Sequence, residues 1–353
     1  MDDFLGKRFR IICPKIIYTI LKNQALLPYC KKIKIVGFWD FDGKVQPIKD
    51  FIKDISIDFV HYEWPRSLLN FDHSLGKFHI FTFMEAVSLR LVMDMAAETP
   101  MSTLWLNKMV ELLKYLKIEL VDCDHMDAFV SVTQKDARFL SNLNPNRVNN
   151  VLNHGVTFEE FCLPDTLPEG NTIAYVGNFR HYPNEDAMLY FMKEIWPLIQ
   201  RQAPGVKIYM VGANPTEKIK LYADNHNIFV TGSVKDIRPY IQKASVCIAP
   251  LVTGAGLRGK VIQYAALKRP FVATSIAVED LVFEDGIDYF RADDPESFAQ
   301  KVIHLLENPL IASEMAQSAY QKALFNYDNE HLVDFLQRIY SNLENENLEL
   351  INL

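Results

Sequence analysis

Six short runs rich in β-branched and aromatic residues, at 172–176, 207–211, 228–231, 246–249, 271–274 and 289–291, recur after residue 170 with helix-length stretches between them. This rhythm constrains the chain more than any other feature. A strand followed by a helix and then another strand cannot close as a hairpin, so the strands run parallel and the helices cover both faces of the sheet. In such a doubly wound sheet a ligand sits at the carboxyl ends of the strands.

The first half carries the same pattern less regularly, with strand-like runs at 9–13, 33–38, 58–62, 79–83, 128–132 and 150–152. A helix is predicted over 104–120, with Leu106, Met109, Leu112, Leu113 and Leu116 on its apolar face, and another over 134–140. The stretch 163–170, with two prolines, a glycine and no apolar period, is the best linker in the sequence. A chain of 353 residues suits two domains of about 150 to 180 residues. The expected division is 1–165, 166–325 and a segment 326–353 whose helix returns to the first domain.

Composition is globular, at 49% hydrophobic and 23% charged, which excludes disordered, collagen-like and coiled-coil classes. A net charge of −7 lacks the basic field that a nucleic-acid binder needs. Residues 1–35 are the local exception, at about +6. Two readings stand for them: an amphipathic face for peripheral contact with anionic lipid, or a helix packed on the first sheet. Cys13, Cys30, Cys123, Cys162 and Cys247 form no CxxC pair, so neither a disulfide framework nor a zinc site is expected, and a reducing cytoplasm is. The apolar stretch 16–27 is broken by Lys22, Asn23 and Gln24 and is too short to span a bilayer, and no signal peptide is recognisable. The expected location is cytoplasmic, with the inner membrane face as the place of any lipid contact.

The loops after the second-half strands carry the candidate chemistry. Gly177, with Asn178, Arg180 and His181 behind it, Gly212, and Gly232 followed by Val234 and Asp236 each end a strand-like run. Taken singly, each is equally well a plain βα turn. The stretch after Pro250 is more specific: Gly254-Ala255-Gly256-Leu257-Arg258-Gly259-Lys260 opens a predicted helix. Backbone N–H groups and the positive helix end would face a diphosphate there, with Arg258 and Lys260 as two cations beside it.

From Gly254 to Thr274, with Glu279, Asp280 and Leu281 beyond, the sequence resembles the donor-site signature of glycosyltransferase family 4 and its relatives. Val176-Gly177-Asn178 with Pro183-Asn184, Pro197, Val211-Gly212, Thr231-Gly232 with Asp236, and Asp293-Asp294 follow in the family's order, so the resemblance covers about 125–345. It implies the GT-B fold, two Rossmann-like doubly wound domains facing across a cleft. It also implies a nucleotide-diphosphosugar held by the second domain as co-substrate, a glycan, lipid-linked or other hydroxyl acceptor at the first, and retaining transfer; because the sequence offers cations but no convincing carboxylate cluster, neither a metal nor another cofactor is expected. By position Arg258 and Lys260 would grip the diphosphate, Gln263 would meet the ribose where many relatives have glutamate, and the Val234–Asp236 loop would receive the base. Gly177, Asn178, Arg180, Gly212, Pro250, Gly254, Ala255, Gly256 and Leu257 complete the implied donor set.

The first half departs from the family pattern. The run 9–13 is followed by Pro14-Lys15 with no Gly-Gly, and Met84 stands in a histidine's place before Glu85, which is kept as a catalytic candidate. His61, Glu63 and His154 are acceptor-side candidates; a hydrogen-bonded strand-end pair and a structural turn are the competing readings. Asp40-Phe41-Asp42 has the formal DxD spacing of a magnesium site but precedes Gly43, which favours a polar turn. Two other functions stay open: an inactive family member acting as a binding or partner subunit, and a nucleotide-sugar epimerase or hydrolase of the same fold.

Overall fold

The computed structural model describes residues 10–13, 32–35, 57–63, 67–68, 71–96, 98–145, 149–153, 155–161, 168–224, 226–254 and 258–345. The chain divides into two units, Met1–His154 together with Asn329–Leu353, and Gly155–Asp328. The sequence boundary near 165 therefore moves to Gly155. Val156 and Phe158 are buried in the second unit's core. Val156 also donates its N–H to Tyr327 O at 2.9 Å.

In the first unit, β1 (Arg10–Cys13), β2 (Lys32–Ile35), β3 (Phe59–Glu63), β4 (Phe78–Phe83), β5 (Ala128–Ser131) and β6 (Asn149–Val151) form one sheet in the order β2-β1-β3-β4-β5-β6. Every pairing is parallel, and β3 lies on β4 with Phe59 opposite Phe78 and Glu63 opposite Thr82. Residues alternate between two faces, as the two-residue period of a strand demands. Phe59, Ile80, Ala128 and Val130 face the helix Asn329–Glu344, which contributes Leu332, Val333, Phe335, Leu336, Ile339, Tyr340 and Leu343. Tyr62, Phe81, Phe83 and Phe129 face the other way onto Cys123, Met126 and Leu140.

The helix Thr103–Leu120 sits one residue from its expected start, capped by the Ser102 side chain on Trp105 N. Its packed face differs from the predicted one. Trp105, Met109, Leu112 and Leu116 meet the helix Val87–Ala96, while Leu106 and Leu113 are exposed. Trp105 completes an i, i+4, i+7, i+11 stripe and turns those two leucines outward.

In the second unit, β7 (Thr172–Val176), β8 (Lys207–Val211), β9 (Ile228–Gly232), β10 (Val246–Ala249), β11 (Phe271–Ala273) and β12 (Phe290–Arg291) pair in the order β12-β11-β10-β7-β8-β9. The chain adds β8 and β9 on one side of β7 and then crosses to add β10 on the other, so the order reverses between β7 and β10. Ile173, Tyr175, Ile248 and Val272 form one core with Phe191 and Phe298. Ala174, Val176, Cys247 and Ala249 form the other with Val261, Tyr264 and Ala265. The helix Tyr182–Tyr190 continues through a π turn, Phe191–Ile195, into Trp196–Gln202. Pro197, which has no N–H for the helix ladder, lies two residues past that wide turn.

Among the described residues, no helix is long and apolar enough to cross a membrane. Apart from β1 and β2, residues 1–35 lie outside the described residues, as do Asp40 and Asp42.

Candidate functional site

A cavity of about 370 Å³ opens in the second unit at the carboxyl ends of β7 and β8, beside the loop after β9 and the helix Gly259–Ala266. Among the sequence candidates, Gly177, Asn178, Gly212, Val234, Lys260 and Gln263 line it. Those six are spread over 87 positions of sequence, and parallel strands bring them to one edge.

Close approach requires both glycines. Gly212 has φ +150°, and a Cβ there would lie 1.9 Å from Gly177 O. A Cβ on Gly177 would lie 2.9 Å from Asn184 Cγ. The two strand ends therefore approach more closely than any side chain permits. Asn178 Oδ1 accepts from Arg180 N and from Asn214 Nδ2, each at 3.1 Å, which fixes the loop after β7.

Arg258 is buried and donates from Nη2 to Gly254 O at 2.8 Å. Lys260, partly buried in the first turn of the helix, donates to Tyr175 Oη and Asn184 Oδ1, each at 2.6 Å. Its Nζ also lies 4.2 Å from the centroid of the Tyr175 ring. Burial, and then the Arg258 guanidinium, pull the Lys260 ammonium down to about 7. Two cations share this end of the site with a helix N-terminus, an arrangement that suits a multiply charged anion.

Other candidates sit elsewhere. Asp236 is chelated by Arg238, with Nε–Oδ1 2.9 Å and Nη2–Oδ2 2.8 Å, and its carboxyl is held below the usual range by that guanidinium. Neither it, nor exposed Arg180, nor buried Pro250 lines the cavity. Gly254, at φ +116°, offers the carbonyl that Arg258 meets. Ala255, Gly256, Leu257 and His154 lie outside the described residues.

In the first unit Glu85 follows β4 and pairs with Arg90 at 3.2 Å, which also reaches Asp94. His61 and Glu63 are buried in β3. His61 Nε2 meets Tyr340 Oη at 2.8 Å, Nδ1 has no hydrogen-bond partner among the described residues, and burial pushes the imidazole down to about 3. His61 thus pins the helix Asn329–Glu344 to the sheet.

Tyr175, Ala213, Ser233 and Ile237 belong to the site by geometry and were not singled out by sequence. Tyr175 sits in an ordinary strand run, and only its hydroxyl sets it apart. Asn184 enters the sequence reading only as the end of the run from Val176 and as part of the family motif, with no role of its own. Among the described residues, no group of three or more His, Cys, Asp or Glu side chains is placed to hold a metal ion.

Residues 170–308 match the family described as glycosyl transferases group 1. Across 96% of this chain and 99% of the other, the structure is similar to a glycosyltransferase from Rickettsia africae ESF-5, at TM-score 0.69 and 14% identity. A sucrose-phosphate synthase from Thermosynechococcus elongatus matches at TM-score 0.71 and 13% identity over 96% of this chain and 100% of its own. Anabaena HepE, solved in complex with UDP and glucose, matches at TM-score 0.68 and 8% identity over 95% of this chain and 100% of its own. A Klebsiella pneumoniae protein described only as an uncharacterized 44.6 kDa protein in the cps region is 22% identical over 183 residues, 50% of this chain and 45% of that protein. These likenesses show the fold: two Rossmann-like α/β units of the GT-B class.

Proposed function

We propose that this chain is a glycosyltransferase that takes its sugar from a nucleotide-diphosphosugar bound in the second unit. One observation carries the reading: Lys260 lines a cavity whose walls are the Gly177 and Gly212 strand ends, with Arg258 beside it. The group 1 match over 170–308 includes every one of these residues, and HepE, of the same fold, was solved with UDP.

In this reading the diphosphate lies against Lys260, Arg258 and the amino end of the helix Gly259–Ala266. The base enters between Val234 and Ile237, and Gln263 accepts a ribose hydroxyl. Breaking the sugar–phosphate bond leaves negative charge on the departing nucleoside diphosphate, and preformed cations stabilise that charge without reorganising. No metal ion is then needed for it. The acceptor is a hydroxyl of a glycan or lipid-linked glycan handled by the first unit, transfer retains the anomeric configuration, and the 1–35 segment provides any peripheral membrane contact.

A thermal-shift panel of nucleoside diphosphates and their sugars tests the donor. A ligand at 100 times its dissociation constant stabilises by about 2.7 kcal/mol. No shift with any of them overturns the reading. Donor turnover with and without acceptor, in EDTA, tests the reaction. Gln263, Met84 and the missing Gly-Gly support a second reading, an inactive partner subunit, which would turn over donor in neither case. An epimerase or hydrolase would need no acceptor.

A further inference from the structure

Lys260 is held by neutral oxygens. Its Nζ donates to Tyr175 Oη and to Asn184 Oδ1 at 2.6 Å each. Tyr175 Oη in turn donates to the same Asn184 oxygen at 2.8 Å. Asn184 cannot turn its amide over, because its Nδ2 donates to Asn178 O at 2.9 Å. The same side chain fills the space that a Cβ on Gly177 would take. A single asparagine therefore joins the glycine loop to the cation.

Among the described residues, the ionisable groups beside Lys260 are Arg258 on its own segment and Tyr175 on β7, with Tyr264 one turn along donating its hydroxyl to Ile248 O. Among the described residues, no carboxylate forms an ion pair with Lys260. An ammonium has three donors, and among the described residues two are used, so the third is left for a ligand, with a charge that no carboxylate among those residues neutralises.

We infer that Asn184 and Tyr175 are positioning residues, a neutral seat that presents the Lys260 ammonium to a nucleoside diphosphate without a counter-charge. This rests on reading the cavity as a nucleotide-diphosphate site. A carboxylate in that place would hold the lysine equally well but would spend its charge. The neutral seat has a consequence at mildly alkaline pH, where the empty site favours a neutral amine because burial and Arg258 both oppose the charge. An arriving diphosphate restores the ammonium, so binding takes up a proton there. The nucleotide's own phosphates are fully ionised at pH 8 and supply none.

Isothermal titration with UDP, GDP and ADP at pH 8, in Tris and in HEPES, counts that proton from the difference in apparent enthalpy. The wild-type protein should take up most of one proton, and its affinity should weaken from pH 7 to pH 8.5. In Asn184→Asp, an isosteric change whose folding is checked by thermal melt, proton uptake should vanish and affinity should fall about tenfold or more. Tyr175→Phe, which keeps the ring, should move the pH at which binding weakens. Nucleotide binding with no proton uptake by the wild-type protein, a measurement that needs no variant, overturns the inference and leaves the donor site standing. Unchanged affinity and proton uptake in Asn184→Asp do the same. A wild-type protein that binds none of the three diphosphates overturns the function and the inference together.

Discussion

At the scale of single residues, the site rests on positions where one atom more is too many. Gly212→Ala places a Cβ 1.9 Å from Gly177 O at φ +150°. It should cost about 2–4 kcal/mol in urea unfolding, the sum of backbone strain and overpacking. The two cations give a second expectation: Arg258→Ala or Lys260→Met should cut turnover by about 30-fold or more, since removing one partner of a desolvated charge pair costs about 2–5 kcal/mol. Normal turnover in both would remove them from the chemistry. His61 supplies a third. Its imidazole titrates near 6.5 unfolded and about 3 folded, so below pH 6.5 the unfolded chain binds a proton that the folded one does not. Its share of stability is whole at neutral pH and falls by about 2 kcal/mol by pH 5, and thermal melts of wild-type and His61→Gln across pH 5–7.5 should differ in slope. Gly177, Gly212 and Lys260 were legible in sequence because glycines ending strand runs and cations opening a helix are local signals. Asn184 and Tyr175 were not, because they meet Lys260 across 76 and 85 residues of chain.

At the scale of elements, the strands are the most legible part. The runs 172–176, 207–211 and 246–249 coincide with β7, β8 and β10, because a strand buried on both faces leaves a short, dense apolar run bounded by turn residues. Helix faces are less legible: the expected face of Leu106, Met109, Leu112, Leu113 and Leu116 leaves out Trp105, which decides which side packs. The unit boundary shifted because a linker is recognised by composition, whereas membership of a core is decided by contacts such as those of Val156 and Phe158. The helix Asn329–Glu344 is an element whose contribution can be measured. Phe335→Ala opens a cavity under β3 and β4, where Phe335 is wholly buried, and should cost about 3–5 kcal/mol. Amide exchange should quicken in β3–β5 and stay unchanged in β7–β10. Uniform loss of protection in both sheets would contradict the assignment of this helix to the first unit.

At the scale of the whole molecule, two units are built from one chain in an order that its sequence does not follow. The second unit is continuous, Gly155–Asp328, whereas the first needs both the early strands and Asn329–Glu344. A nucleoside diphosphate bound at Lys260 should therefore raise the unfolding transition of the continuous unit in a calorimetric scan and leave the other in place. The helix has a further consequence during synthesis. His61 leaves the ribosome 279 residues before the Tyr340 hydroxyl that satisfies its Nε2. At about 5–20 residues per second the nascent first sheet waits roughly 15–55 s with one face uncovered. The later-made unit can close first, and the growing chain depends on whatever shields that face until Tyr340 has been made.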